Sequence, residues 1–179
     1  MSESILSLCP GPWKDYELID TGGFEKLERF GDFILSRPEP QAIWDKTLPE
    51  SEWKNLAHAH FAKEKTNPEK GNWEQLKKMP HNWAVEYANP EGLILKLNLA
   101  QTSFKHIGLF PEQAVNWDYL YKTIKRSPVA KPKVLNLFAY TGAASVAAKA
   151  AGADVTHLDS VKQVVTWSRH DMESQGKSE

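Results

Sequence analysis

The 179-residue chain has one cysteine, Cys9. A single thiol cannot close an intrachain disulfide, which excludes a disulfide-stapled scaffold and fits a reducing, cytoplasmic setting. Long apolar runs are missing too. The nearest approach, 134–151, carries Asn136, Thr141, Ser145 and Lys149, so it does not read as a membrane span. The opening MSESILSLCP lacks the basic n-region and the length of a signal peptide. Charge of one sign is not in excess: the net charge of −1 excludes a globally basic nucleic-acid coat. Internal repeats, low-complexity tracts and the glycine-rich G-x-G-x-x-G fingerprint are all absent.

What is present reads as globular. Hydrophobic residues make up 41% and charged residues 25%, enough for one ordinary domain or two small ones with real cores. Five of the seven tryptophans precede residue 90, which marks an aromatic-rich N-terminal unit. Residues 1–100 hold 12 Lys/Arg against 16 Asp/Glu, whereas 101–179 hold 10 against 7. Composition shifts with charge, from Trp, Pro and Glu in front to Ala, Val and Gly after Lys133. Together these place a domain boundary near 105–130.

In the front part, Tyr16–Asp20 reads as a strand closed by Thr21-Gly22-Gly23, and 24–30 is short and mixed. Asp32–Ser36 reads as a strand stopped by Arg37-Pro38. Residues 51–65 fit a helix or a polar loop, and 67–71 a break. The clearest signal is a hairpin. Trp83/Val85/Tyr87 and Leu93/Leu95/Leu97/Leu99 alternate on either side of an Asn89-Pro90-Glu91-Gly92 turn. Beyond it, Pro111 opens a helix with an apolar stripe of Val115, Tyr119, Leu120 and Ile124, ended by Ser127-Pro128.

From Lys133 the pattern is β-α-β-α, which predicts a parallel sheet with right-handed crossovers. Val134–Phe138 is an apolar run that reads as a strand buried on both faces. Tyr140-Thr141-Gly142 turns, and Ala143–Ala151 is a small-residue helix closed by Gly152 in the left-handed cap position. Val155–Leu158 is the next strand. Ser160 then caps a helix with Val161, Val164, Val165 and Ser168 on one face, ended by Gly176.

The chemistry lies in the turn after Phe138. Gly142 permits a close backbone approach, and the N–H groups opening the Ala143 helix suit a carboxylate or phosphate. Seventeen residues further on, Asp159 stands at the carboxyl end of the second strand, where an acid accepts from a ribose diol. The single glycine, flanked by Phe138 and Tyr140, suits a cofactor without phosphates better than a pyrophosphate. A plain βα turn without ligand is the alternative.

Asn136-Leu137-Phe138-Ala139-Tyr140-Thr141-Gly142 resembles motif I of class I S-adenosylmethionine-dependent methyltransferases. It is most similar to the ribosomal-RNA methyltransferase subgroup that carries N-L-F-x-Y-T-G. Thr156-His157-Leu158-Asp159-Ser160 resembles the family's second motif, and Ile107–Gln113 resembles the segment ahead of the fold. The resemblance implies an α/β protein in three parts. These are a small β-rich auxiliary domain over 1–104, a motif segment, helix and basic linker over 105–132, and over 133–179 the start of a Rossmann-like methyltransferase fold, its first two parallel strands and their helices. It implies S-adenosylmethionine as cofactor. Phe138, Ala139, Tyr140, Thr141 and Gly142 would wrap the methionine end, with Asn136 where the family more often has an acid. Ala143 would present a helix amide to the carboxylate, Asp159 would accept from both ribose hydroxyls, and Ser160 would lie against the adenosine, with Phe110 and Gln113 near the cofactor. It also implies an RNA substrate, of ribosomal type.

The family's Asp-Pro-Pro segment and five further strands have no counterpart among these residues. The expectation is therefore the N-terminal part of a longer enzyme, with no catalytic residue assignable, no turnover alone and self-association through an exposed sheet edge. Two other classes stay open: a dinucleotide-dependent oxidoreductase, which Asp159 suits, and a non-catalytic RNA-binding module. The latter would use the basic run Lys122, Lys125, Arg126, Lys131 and Lys133, or tryptophans stacking on bases; a solvated face and a plain aromatic core are the other readings of these features. His58 and His60 lack companions at metal-ligand spacing and read as surface residues, so no metal is expected.

Overall fold

Three strands in the front half fold back on one another because short turns rich in positive-φ positions join them. In the computed structural model, which describes residues 8–64 and 70–175, β1 (Tyr16–Gly22), β2 (Glu25–Phe30) and β3 (Phe33–Pro38) form an antiparallel meander. β1 runs through Thr21 and Gly22, two residues past its expected end. The reversal falls on Gly23 and Phe24, at φ 56° and 64°. β2 occupies the stretch that looked mixed. β3 continues through Arg37 to Pro38, which pairs with Glu25 as the last residue of the strand, a position where a missing N–H is tolerated.

The 51–65 stretch divides into two elements. Helix α1 (Glu50–Leu56) is followed by strand β4 (Ala59–Lys63), which lies parallel to β3, and β5 (Gly71–Gln75) returns antiparallel. Gly71 thus opens a strand where a break was expected. The remainder of that break, at 67–69, and Lys65 lie outside the described residues. The sheet order is β1-β2-β3-β4-β5. Leu27, Trp53 and Ala57 form a buried cluster with Ile19, Ile34, Leu48 and Leu56 against it.

A bulge between Leu18 and Asp20 in β1 accompanies a buried carboxylate. Asp20 accepts from Trp53 Nε1 at 2.8 Å and from the N–H groups of Leu48, Thr21 and Thr47 at 2.9, 2.9 and 3.3 Å. Burial alone would raise its pKa; the four donors outweigh it and hold the group below its ordinary value. Trp53 is therefore a core residue rather than a stacking platform.

The hairpin is present as β6 (Asn82–Ala88) and β7 (Ile94–Ala100). Val85, Tyr87, Leu93, Leu95, Leu97 and Leu99 are buried, as the alternation requires. Asn89 shapes the turn, its Oδ1 accepting from Glu91 and Leu93 N–H at 3.0 and 2.9 Å.

The chain divides into two compact units. One comprises 14–86 with 96–109. The other comprises, among the described residues, 8–13, the hairpin end 87–95, and 110–175. In this second unit, a 3-10 turn (Pro111–Gln113) leads into α2 (Ala114–Lys125). Its buried face is Ala114, Trp117, Tyr121 and Ile124, whereas Tyr119 of the expected stripe is 68% exposed. Aromatic packing selects this face: Trp117 meets Trp13 and Tyr87 edge-on at 5.9 and 5.5 Å. Asp118 accepts from Tyr87 Oη and Asn89 Nδ2 at 2.8 and 2.7 Å.

Strand β8 (Lys133–Leu137), helix α3 (Ala143–Ala150), strand β9 (Asp154–Leu158) and helix α4 (Lys162–Ser174) follow, with β8 and β9 parallel and in register. Burial alternates along both strands. β8 is thus covered on one face only, against the expectation of a strand buried on both. Leu135, Leu137 and Leu158 are 61%, 51% and 56% exposed on the other face, where no described element packs. Helix α3 closes with the reciprocal bonds Gly152 N–H to Lys149 O and Ala153 N–H to Ala148 O, with Gly152 at φ 102°. Ser160 does not cap α4; that position is Val161, whose N–H is held by Asp159 instead. Gly176, expected to end α4, lies outside the described residues. Among the described residues, no helix is long and apolar enough to cross a membrane.

Candidate functional site

Parallel pairing places Asn136 of β8 beside His157 of β9 on the face covered by α3. Ser145, near the start of α3, meets both. Its Oγ accepts from Asn136 Nδ2 at 2.9 Å and lies 3.0 Å from His157 Nδ1. A hydroxyl has one proton to donate. With Asn136 donating to it, Ser145 Oγ keeps its proton and one lone pair for His157 Nδ1, so it can pair with either tautomer of the neutral ring, whose other nitrogen is Nε2. That Nε2 is buried and makes no hydrogen bond of ordinary geometry. Burial pulls the His157 pKa below its ordinary 6.5, against the opposing influence of Asp159 and the Tyr140 backbone.

The turn above this chain of polar groups is strained. Phe138 and Tyr140 both have positive φ, at 54° and 52°, and Gly142 follows at 95°. Each non-glycine residue in that region costs about 1–3 kcal/mol, so something must hold the turn. Asp159 does. Its Oδ2 accepts from Tyr140 N–H and its Oδ1 from Val161 N–H, both at 2.9 Å, which ties the turn after β8 to the turn after β9. Ala139 N–H adds a bond to Leu158 O at 3.1 Å, and Gly142 N–H one to Ala139 O at 3.0 Å. The bonds from Val161 and Tyr140 keep the Asp159 carboxyl below its ordinary pKa, so the group is ionised at neutral pH. The Ser160 backbone N–H adds to the same effect, and of the carboxylate's roughly four acceptor positions part remains for a ligand.

The anticipated site residues take distinct places. Phe138 projects into solvent, 92% exposed. The Tyr140 ring lies 5.1 Å from that of Phe110, which brings the segment ahead of α2 to the turn. Ala139 and Thr141 are buried, Ala143 opens α3, and Ser160 is exposed. Gly142 has no room for a Cβ: it would stand 2.8 Å from Ser168 Cβ and 3.3 Å from His157 Cε1. The amide of Asn136 is directed to Ser145. The Gln113 side chain accepts from Asn116 at 2.8 Å and makes no hydrogen bond to the turn. Sequence reasoning passed over Ser145 and His157. The usable signal was register: two parallel strands that begin at Lys133 and Asp154 put residues 136 and 157 side by side.

His58 and His60, weighed above as metal ligands, have partners of their own. His58 Nδ1 accepts from Ile34 N–H at 3.1 Å, and His60 Nδ1 lies 3.1 Å from Ser36 Oγ. Both are half-buried rather than surface residues, because His60 lies in β4 beside β3 and His58 immediately precedes it, bonded to Ile34 of β3.

Among solved proteins, a SAM-dependent methyltransferase from Agrobacterium tumefaciens matches at 37% identity and a TM-score of 0.78, over 89% of this chain and 48% of that one. The chain shares its mixed α/β fold with SAM-dependent methyltransferases. A Streptococcus mutans protein described as a putative SAM-dependent methyltransferase matches at 21% identity and a TM-score of 0.62, and one described as a putative methyltransferase complexed with SAH at 20% and 0.61. Each match covers 89% of this chain, which spans 42% of either protein. The chain thus covers about half the length of these proteins or less. No protein-family model and no curated protein matches it.

The neutral His157 has a measurable consequence. Its pKa is depressed on folding, so its contribution to stability is complete above pH 6.5 and falls as pH drops toward the depressed value. Urea unfolding followed by tryptophan fluorescence from pH 7.5 to 5 should show wild type losing stability more steeply than His157→Gln, which keeps an acceptor but does not titrate. Equal slopes would remove His157 from the account.

Proposed function

We propose that this chain is the cofactor-binding part of an S-adenosylmethionine-dependent methyltransferase that acts on RNA of ribosomal type, in the cytoplasm. Residues 133–179 are then the opening of a Rossmann-like domain, and the front is its β-rich auxiliary domain. The observation that carries the reading is Asp159: a half-buried, ionised carboxylate at the carboxyl end of β9, locked to the Tyr140 turn, with acceptor capacity left for a ribose diol. The residues fit the cofactor in a particular way. Asp159 holds the ribose, the N–H groups opening α3 meet the carboxylate, and Phe110, Phe138 and Tyr140 supply aromatic surface. Asn136 supports the turn through Ser145. The cofactor, when bound, supplies an electrophilic methyl group; the residues that position an acceptor belong to the family segments without a counterpart here.

The N-L-F-x-Y-T-G resemblance and the basic run support an RNA substrate. Lys122 is paired with Glu91 at 2.6 Å, whereas Arg126, Lys131 and Lys133 make no ion pair among the described residues and remain available to phosphates.

Calorimetry tests the cofactor assignment directly. S-adenosylhomocysteine should bind, NAD should not, and Asp159→Ala should weaken binding by about tenfold or more. Preference for NAD, or unchanged affinity in Asp159→Ala, would reject it. Self-association belongs to the same proposal. The apolar face of Leu135, Leu137 and Leu158 and the free edges of β8 and β9 favour pairing between copies. Sedimentation velocity should show dimers or larger species that Leu137→Lys reduces; a concentration-independent monomer would contradict it.

A further inference from the structure

A cavity lies between the five-stranded sheet, α1 and the loop ahead of α1 that carries Lys46. It measures about 440 Å³, within the range of small-molecule sites. Its floor is built around Lys46, whose side chain is 9% exposed. The ammonium binds Glu25 Oε2 at 2.6 Å and Glu50 Oε1 at 2.7 Å and lies 3.9 Å from the centre of the Trp53 ring. Burial would lower the Lys46 pKa, but the two carboxylates outweigh it and keep the group charged.

One wall carries Ser36 and His60. The arrangement is not that of a hydrolytic triad. Ser36 Oγ, at 3.1 Å, and Glu25 Oε1, at 3.7 Å, both face Nδ1 of His60, so the ring cannot relay a proton from one to the other. Nε2 of His60 has no hydrogen-bond partner among the described residues. Leu76 adds apolar surface.

The lining charges set the sign of a ligand. One ammonium is shared between Glu25 and Glu50, which leaves Glu25 Oε1 and Glu50 Oε2 without a hydrogen-bond donor among the described residues. Glu74 and Lys54, both exposed, cancel at the rim. An anion would meet two half-satisfied carboxylates; a cation would complete them. We propose that this cavity binds a small organic cation, an amine or guanidinium carried on an alkyl chain. The cationic head joins Glu25 Oε1 and Glu50 Oε2, and the chain lies along Leu76.

The test is calorimetry on the 179-residue chain with agmatine and 1,4-diaminobutane as cationic probes and inorganic phosphate as the anionic control. The cations should bind and phosphate should not. Glu25→Gln should weaken cation binding about tenfold or more. Leu76→Trp, at a half-exposed wall position, should block binding without touching the charges. Circular dichroism confirms that each variant is folded; should Glu25→Gln unfold, Leu76→Trp alone decides. No heat with either cation, tighter binding of phosphate, or wild-type binding by a folded Leu76→Trp would each overturn the assignment. Cofactor titration is a separate measurement, so this site stands or falls independently of Asp159.

Discussion

Gly142→Val should destabilise the unit containing β8 and β9 by about 2–5 kcal/mol and abolish S-adenosylhomocysteine binding. Two costs combine. A branched residue at φ 95° carries roughly 1–2 kcal/mol of backbone strain. Its Cβ would also sit 2.8 Å from Ser168 Cβ and 3.3 Å from the His157 ring, and overpacking of this kind costs about 1–3 kcal/mol. Both neighbours are protein atoms, so the damage passes through the packing of α3, α4 and β9 before it reaches any ligand. The two costs can be separated. Gly142→Ala with Ser168→Gly removes the 2.8 Å clash but neither the strain nor the His157 contact, so once the glycine cost of about 0.5–1 kcal/mol is taken from Ser168→Gly alone, it should recover part of the loss seen in Gly142→Ala. Urea unfolding gives both values. If Gly142→Val is as stable as wild type, Gly142 does not pack against α4 as described.

The region around that glycine was legible for a simple reason. Small residues in α3, a glycine on either side of it and a short apolar run before and after form a local pattern that does not depend on distant contacts. The hairpin was legible too, because burial of Leu93, Leu95, Leu97 and Leu99 is written as strict alternation. β2 was not. Its sequence, Glu-Lys-Leu-Glu-Arg-Phe, puts a charge at position 28, which the fold buries, and the partner that neutralises it is Arg37, nine residues away. β5 fails differently, since Gly-Asn-Trp-Glu-Gln has no period to detect and forms by pairing with β4. For α2 the hydrophobic residues outnumber the buried positions. Trp117 and Tyr121 prevail over Tyr119 because Trp13 and Tyr87 offer Trp117 aromatic partners that periodicity cannot foresee. The same limit hid the Asn136–Ser145–His157 chain, which needs strand register as well as composition.

The buried charge in β2 leads to the other large effect. Arg37→Met should cost about 3–5 kcal/mol, the usual penalty for leaving one member of a buried ion pair alone. Glu28 is 1% exposed and its Oε2 accepts from Arg37 Nε at 3.0 Å and Nη2 at 2.6 Å. Arg37 also donates through Nη1 to Lys105 O at 3.1 Å and lies 5.4 Å from the Phe30 ring, so truncation loses more than charge. The Tyr16 hydroxyl at 3.0 Å and Lys26 at 3.6 Å remain on Oε1, and neither replaces the paired geometry on Oε2. Replacing both partners, Glu28→Leu with Arg37→Met, removes the stranded charge, so the double variant should be more stable than Arg37→Met alone. Guanidinium unfolding of the wild type, the two single variants and the double variant completes the cycle. A loss below about 1 kcal/mol for Arg37→Met would mean that Lys26, only 20% exposed, swings in to neutralise Glu28, and that the pair does not hold β2 to β3.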